Sequence, residues 1–319
     1  MGAAGLGSRA IIGEFYHRLS QLTGMSWINQ ISMLFDSNQE SETYKWLGMV
    51  PQMREWVGGR QAKGFRENGI TIFNKKYEST LEIQVDDLRR DKTGQIMLRV
   101  GEQARRALAH WASLLSTLLI NGTSGVCYDG QYFFDSDHSE GDSGTLLNLL
   151  TATQVPKLDV TTTTAPTAAE MVEAVLGVIG YMMAYKDDQG EPLNEDAREF
   201  LIMVGTPQLW APLMAALGSQ VITDGAGAAF TNVLGTLDGF KLRAEFNPRF
   251  SALTTNMMVF RTDSDVKALI RQEEEPIKMS AIAEGSELEF NDDVHHYGIK
   301  AMRNVGYGYW QMASYSTFS

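Results

Sequence analysis

Apolar side chains recur at three- and four-residue spacing along one stretch of the chain: Met97, Val100, Ala104, Ala107, Leu108, Trp111, Leu114, Leu115 and Leu118. Arg99, Glu102, Arg105 and Arg106 take the opposite face, so the spacing predicts an amphipathic helix over 96–120. Such a helix is about 37 Å long at 1.5 Å per residue and can serve as a spine for a sheet to pack on. Its expected core face is Val100, Ala104, Leu108, Trp111, Leu115 and Leu118. Thr93-Gly94 marks its start, and Asn121-Gly122-Thr123 reads as the turn that ends it.

The remaining pattern is less regular. Behind Gly2, Gly5 and Gly7, the residues Ile11, Phe15, Leu19 and Leu22 fall loosely at helical spacing. That segment has little core of its own and is expected to pack on another body, with a neighbouring copy as the natural candidate. Gly58-Gly59, Gly64 and Asn68-Gly69 punctuate 39–95, and the runs Ile70–Asn74 and Tyr77–Val85 are rich in strand formers. Residues 121–167 are dominated by loop signals and end in the tract Thr161–Pro166, where a domain boundary is expected. Thr167 with Glu170 fits a capping box opening a second helix, whose buried side is Met171, Ala174, Val175, Val178, Ile179 and Met182.

Asp187–Pro192 reads as a surface turn and Phe200–Val204 as a buried strand. Thr206-Pro207 should cap and start a short helix through Leu217, and Asp224–Ala229 a flexible loop. Strand-like runs then dominate: Phe240–Phe246, Asn256–Arg261, Ile277–Ile282 and Tyr297–Arg303. Central helices flanked by strands, without a βαβ rhythm, predict an α+β architecture.

Composition narrows the function classes. The chain has 319 residues, 44% of them hydrophobic and 21% charged, enough to bury a sizeable core. A formal net charge of -12 disfavours a global role on nucleic-acid phosphates. The segment 45–92 departs from that balance, with a basic surplus that includes Lys45, Arg54, Arg60, Lys63, Arg66, Lys75 and Lys76. A basic, turn-rich projection on an acidic protein suits head-to-tail contact with an identical copy. Cys127 is the single cysteine, which rules out an internal disulfide and suits a reducing compartment. The opening residues lack the features of a secretory signal, and no apolar run approaches the roughly 18 residues of a membrane span.

Candidate chemistry is sparse. Asp135-Ser136-Asp137-His138 groups two carboxylates and an imidazole, the donor types of a hard cation or zinc, but without a recognised ligand spacing. Cys127 with His138 could pair as nucleophile and base, although no protease signature surrounds them. His295-His296 beside Asp292-Asp293 reads as a surface turn, because neighbours on a strand face opposite ways. Gly225-Ala226-Gly227 fails as a dinucleotide fingerprint, and Glu273-Glu274-Glu275-Pro276 reads as a solvated acidic turn. No catalytic, cofactor-binding or metal residue is assigned. A hydrolase using Asp135, Asp137, His138 or Cys127, and another kind of virion component such as a tail or portal protein, are the alternatives carried forward.

Four local sequences go further. Tyr44–Arg60 (YKWLGMVPQMREWVGGR), Ile72–Thr80 (IFNKKYEST), Cys127–His138 (CYDGQYFFDSDH) and Arg303–Gln311 (RNVGYGYWQ) resemble, in the same order, motifs of the Mu-like phage major head subunit family. Two features depart from that pattern, the glycine-rich start and Ser139 where a proline often follows the histidine. The resemblance implies the Hong Kong 97-type capsid fold. Its parts would be an N-terminal arm over 1–38, an extended loop with its base strands over 39–95, and a peripheral domain over 96–164 around the spine helix. An axial domain over 165–250 would follow, with 251–319 supplying strands to both domains.

The resemblance also implies a non-enzymatic major capsid protein of a tailed bacteriophage, located in the virion capsid and assembled in the host bacterial cytoplasm. Its partners would be itself in hexamers and pentamers, a scaffold, a head protease, a portal and a decoration protein. Packaged double-stranded DNA would be near only non-specifically, with no membrane and no cofactor. Trp46, Arg54, Trp56, Arg60, Lys63 and Arg66 on the extended loop are the expected intersubunit contacts.

Overall fold

A computed structural model describes residues 7–45, 69–91, 93–223, 227, 229–234 and 239–319. The chain opens with helices α1 (Ser8–Gln21) and α2 (Ser26–Ile31), then strands β1 (Ser32–Asp36), β2 (Ser41–Lys45), β3 (Gly69–Phe73) and β4 (Lys75–Gln84). The short α3 (Val85–Arg90) leads into the long α4 (Gln95–Ile120). Two-residue strands follow: β5 (His138–Ser139), β6 (Thr145–Leu146) and β7 (Leu149–Leu150). Next come α5 (Ala168–Met183), β8 (Glu199–Val204), α6 (Pro207–Gly218), β9 (Val221–Thr223), β10 (Ala229–Thr231), β11 (Lys241–Phe246) and β12 (Asn256–Arg261). The chain finishes with β13 (Leu269–Ile282), α7 (Glu287–Asp292), β14 (Val294–Tyr307) and β15 (Ala313–Thr317).

Two mixed sheets carry the architecture. One has the order β1-β13-β14-β4, the other β11-β8-β12-β15-β7. β13 and β14 form a long antiparallel hairpin inserted between β12 and β15, so the chain leaves the five-stranded sheet and returns to its interior. The α+β class is as read, with one addition: β8, α6 and β11 form a crossover between parallel neighbours. The interposed β9–β10 ribbon breaks the spacing that would have announced that unit.

α4 joins two cores. Its first half, through Val100 and Ala104, packs with Ile11, Phe15, Ile83, Leu88, Met279 and Tyr297. Its second half, through Trp111, Leu115 and Leu119, packs in a larger cluster with α5, α6 and the five-stranded sheet. Of the expected core face, Val100, Ala104, Trp111 and Leu115 are buried. Leu108 and Leu118 are half-buried on the flanks of the stripe. The buried face instead includes Gln103, Ala107, Ala112, Ser116 and Leu119.

The start of α4 has a cap that Thr93-Gly94 did not announce. Gly94 adopts φ +71°, a left-handed turn that favours glycine. Asp91, three residues back, accepts from the backbone N–H groups of Thr93, Gln95 and Ile96. These bonds hold its carboxyl below the usual range, led by the one from Ile96.

Several expectations change. The N-terminal helix packs against α4 of its own chain: Ile11 and Phe15 are fully buried, and the Met279 backbone N–H donates to the Tyr16 hydroxyl at 2.9 Å. Helical spacing showed that one face is covered but not by what. The boundary expected at Thr161–Pro166 runs through a continuous core, because Phe133, Phe134, Leu150 and Leu158 share the large cluster with α5 and β8. Residues 121–164 therefore pack with the body expected over 165–250. Glu273–Pro276 lies within β13, where pairing shifts register between Glu273, Glu275 and Lys278. An irregularity of that kind accommodates a proline inside a strand. Thr206 makes no side-chain cap bond. The loop expected at 224–229 falls mostly outside the described residues.

The tract before α5 is anchored by the capping box. The Glu170 N–H donates to the Thr167 hydroxyl, and the Glu170 carboxylate accepts from Thr167 N and from both Thr161 N and Thr161 Oγ1. Burial alone would raise this carboxyl, but these bonds bring it down from an ordinary 4.5 to about 2. Its folded value lies below its unfolded one, so the stabilisation is complete above about pH 4.5 and fades as the pH falls toward 2. Glu170→Ala should therefore cost about 1 kcal/mol at pH 7. Urea unfolding should show that deficit shrinking at pH 3.

Candidate functional site

The run of carboxylates and imidazole around His138 is the first candidate for chemistry. His138 is fully buried, its ring stacked on Trp310 at 4.0 Å with planes 7° apart. Nδ1 lies 2.6 Å from Asp129 Oδ2 and Nε2 lies 3.3 Å from Asn148 Oδ1. Asn148 is oriented by donating to the carbonyls of Phe133 and Trp310, and its oxygen also accepts from Asp135 N. An acceptor oxygen thus faces each ring nitrogen, so both nitrogens are engaged within the fold and neither is directed at Cys127.

Neighbouring groups belong to the same lattice of buried bonds. Gln311 Nε2 donates to the Tyr128 hydroxyl at 2.9 Å and to Glu140 at 3.2 Å, and Tyr128 also bonds Glu140. Asn194 Nδ2 donates to the Gln311 and Met182 carbonyls, while Arg261 donates to Asn194, Asp196 and Asp263. Through Gln311 and Asn194 these bonds tie the 125–150 region and α5 to the C-terminal segment, and Arg261 ties β12 to residues 194–196. The arrangement fixes loops; it does not present a reactive group.

Cys127 is buried, its thiol directed at the Gly308 carbonyl 3.6 Å away. Burial first, and then the Asp129 charge, push its pKa well above the usual thiol range, so it remains a thiol. Asp135 accepts the backbone N–H groups of Tyr132 and Ser136, and Asp137 is exposed. Among the described residues no group of three or more His, Cys, Asp or Glu side chains is placed to hold a metal. The His295-His296 pair lies inside β14 rather than in a turn. His295 is buried 3.2 Å from Glu289, and His296 faces outward, 3.0 Å from Glu82.

The second candidate is a contact surface. β2 and β3 pair from Ser41↔Phe73 to Lys45↔Gly69, forming a ribbon from which residues 46–68 depart. Its root is locked by Gln272, which is fully buried on β13. Gln272 Nε2 donates to the Ile72 carbonyl and to Asn74, while Gln272 Oε1 accepts from the Tyr44 hydroxyl at 2.9 Å. Burial, and then Glu42, push that phenol up to about 12, so it stays a donor. Beside the root, Leu34, Phe35 and Phe73 are exposed, and β1 is an edge strand. A sheet edge with apolar side chains is a site for another chain to cover. Trp46, Arg54, Trp56, Arg60, Lys63 and Arg66 lie outside the described residues.

The sheet that carries this surface is fastened to α4 by two buried arginines that sequence reading did not single out. The guanidiniums of Arg303 and Arg271 lie 4.7 and 5.6 Å from the Trp111 ring centroid. Arg303 also donates to the Ala107 carbonyl at 3.0 Å, and Arg271 to Asn29 at 2.7 Å. Arg271 falls outside the strand runs read from the sequence and Arg303 at the end of one, and the position of Trp111 explains a buried cation at each.

With this geometry described, comparison with known proteins is informative. The chain matches the family described as "Mu-like prophage major head subunit gpT" over residues 9–156 and 244–318. It is similar to the major capsid protein of Escherichia phage Mu, 39% identical over 113 residues that make up 35% of this chain and 37% of that protein. The alignment thus spans little more than a third of that relative's length. Among solved structures, the procapsid of bacteriophage JBD30 covers 97% of this chain and 73% of its own, with TM-score 0.55 and 24% identity. The mature capsid of bacteriophage PhiM1 matches at TM-score 0.55 and 12% identity, over 93% of this chain and 88% of its own. These likenesses are of fold, and the fold is the Hong Kong 97-type.

His138→Ala would leave the Asp129 carboxylate, itself nearly buried, without its partner. It should destabilise the chain by about 3 kcal/mol in urea unfolding. A thiol reagent should modify Cys127 only as the protein unfolds, at a rate that rises with denaturant.

Proposed function

The chain belongs to the Mu-like prophage major head subunit family, and from that membership we propose that it is the major capsid protein of a tailed bacteriophage. Copies assemble as hexamers and pentamers into an icosahedral head around double-stranded DNA. The observation that carries this reading is the family match on both sides of residues 157–243, combined with a capsid fold over nearly the whole chain. The alternative hydrolase has no support from a buried imidazole flanked by acceptors and a protonated, buried thiol.

Under this reading the parts take distinct work. Residues 1–38 are the arm, 39–95 the extended loop with its base, and α4 with the four-stranded sheet the peripheral domain. The five-stranded sheet with α5 and α6 is the axial domain, to which residues 127–160 contribute core. Trp46, Arg54, Trp56, Arg60, Lys63 and Arg66 make intersubunit contacts from a ribbon whose root is held by Gln272. A scaffold, a head protease, a portal and a decoration protein are further partners, and assembly takes place in the host bacterial cytoplasm. DNA lies close without being bound specifically, consistent with the acidic net charge. Each contact is weak and the shell is their sum.

Purified protein should form closed shells with rising concentration in negative-stain images. Deleting residues 54–66 should leave circular dichroism and the unfolding midpoint within about 1 kcal/mol of the parent. The same deletion should abolish the shells. Normal particles from the deletion, or tubes and rings from the parent, would refute the assignment.

A further inference from the structure

The hairpin of β13 and β14 ends in α7, and there Phe290 is 90% exposed, far beyond any other large apolar side chain described. A phenyl ring in water forfeits the burial of about 150 Å² or more of apolar surface. The flanking residues are acidic: Glu284, Glu287, Glu289, Asp292 and Asp293 occur without a lysine or arginine between 283 and 293. Glu284 and Glu289 are engaged inward, with Ser8 N and with Gly285 N and His295. Glu287, Asp292 and Asp293 are exposed around the ring. This tip is rigidly held, since Glu289 N donates to the Ser286 hydroxyl and the hairpin below pairs continuously from Ile282↔His296 to Lys278↔Lys300.

A receptor of matching character lies on the same sheet. Between α4 and strands β4, β13 and β14 is a cleft of about 180 Å³, walled by Tyr77, Ile277, Ile299 and Ala301. Cavities of about 150 Å³ hold a benzene ring. Arg106, Lys300 and one carboxylate, Glu78, line it, with Arg106 paired to Glu102 at 2.8 Å and Lys300 to Glu275 at 2.6 Å. Such exposed pairs contribute little alone, so an acidic partner that excludes water can take over the cations. At the side, His110 packs edge-on to Tyr77 at 4.4 Å. Burial, Arg303 and Arg249 bring His110 down to about 4, so at neutral pH it adds an aromatic face and no charge.

The tip cannot reach its own cleft. Five residues of paired strand separate Val294 from Ile299, about 17 Å at 3.3 Å per residue. We propose that Phe290 on the acidic α7 tip of one copy inserts into the basic-rimmed cleft between α4 and β14 of another copy. The contact is heterologous, tip to cleft, and a rotation that closes it makes a ring while one that does not makes an open array. This inference rests on the reading that the chain assembles with itself, and it assigns two of the surfaces that do so.

The test is site-directed cross-linking in assembled particles of the full chain carrying Phe290→Cys with Ser79→Cys. Ser79 lines the cleft and is exposed, and the only native cysteine, Cys127, is buried. Mild oxidation should give covalent dimers and higher oligomers on a non-reducing gel, absent from either single variant. Phe290→Ala should fold like the parent by circular dichroism yet yield roughly tenfold fewer particles at equal concentration, the loss expected of a central aromatic anchor. Particles that form without the 290–79 link, or that link 290 to 290, would overturn the tip-to-cleft contact and leave assembly standing. If the parent chain forms no particles, the assembly reading fails and this inference fails with it.

Discussion

The structure depends on a single apolar stripe that must serve two cores at once. α4 offers Val100 and Ala104 to the small cluster and Trp111, Leu115 and Leu119 to the large one, with no break in its hydrogen-bonded rod. Each sheet packs on one half of it, and Leu269 and Tyr307 of the four-stranded sheet also reach the large cluster. The relative placement of the sheets is set by where along the helix each is fastened, and the fastening of the four-stranded sheet is the pair of arginines on Trp111. Burying two guanidiniums is costly, and here the ring face, the Ala107 carbonyl and Asn29 replace the water they lose. In the proposed role as a shell subunit, two bodies held at a fixed angle matter because an error of a few degrees is repeated at every copy.

Much of this was legible in residue spacing. α4 and α5 could be read because an amphipathic helix longer than four turns leaves a repeated signature, and the Thr167–Glu170 box gave the start of α5. β12 could be read because Met257–Phe260 is a short, wholly apolar run. The long strands were seen only in part. Pro276 hid the first half of β13, leaving only Ile277–Ile282 to be read, and β14 appeared only as its middle, Tyr297–Arg303. The two-residue strands β5, β6 and β7 are too short to have a period at all.

The sites were less legible than the elements, for a related reason. Periodicity reports that a face is covered and is silent about the cover. Ile11 and Phe15 fitted burial by a neighbour as well as burial by α4, and the second is what the chain does. The run ending in His138 looked like chemistry because carboxylates and imidazole are also the groups that knit a loop to a sheet. Only the positions of Asn148 and Trp310 show that both nitrogens and a face of the His138 ring are engaged within the fold. Gln272 and Phe290 had no sequence signal: one is an ordinary strand residue that locks the ribbon root, the other one apolar letter within an acidic run.

The order of the strands has a consequence for timing. β15 lies between β12 and β7 in the interior of the five-stranded sheet, yet it is the last described element to leave the ribosome. Until residues 313–317 emerge, β12 keeps a bare edge and the Asn148 carbonyl lacks the Tyr315 N–H it later accepts. A nascent chain is therefore an unfinished brick, with its hairpin and helix already made but its central sheet open. If the chain builds a shell as proposed, it becomes competent to join one only after its last strand has closed the sheet.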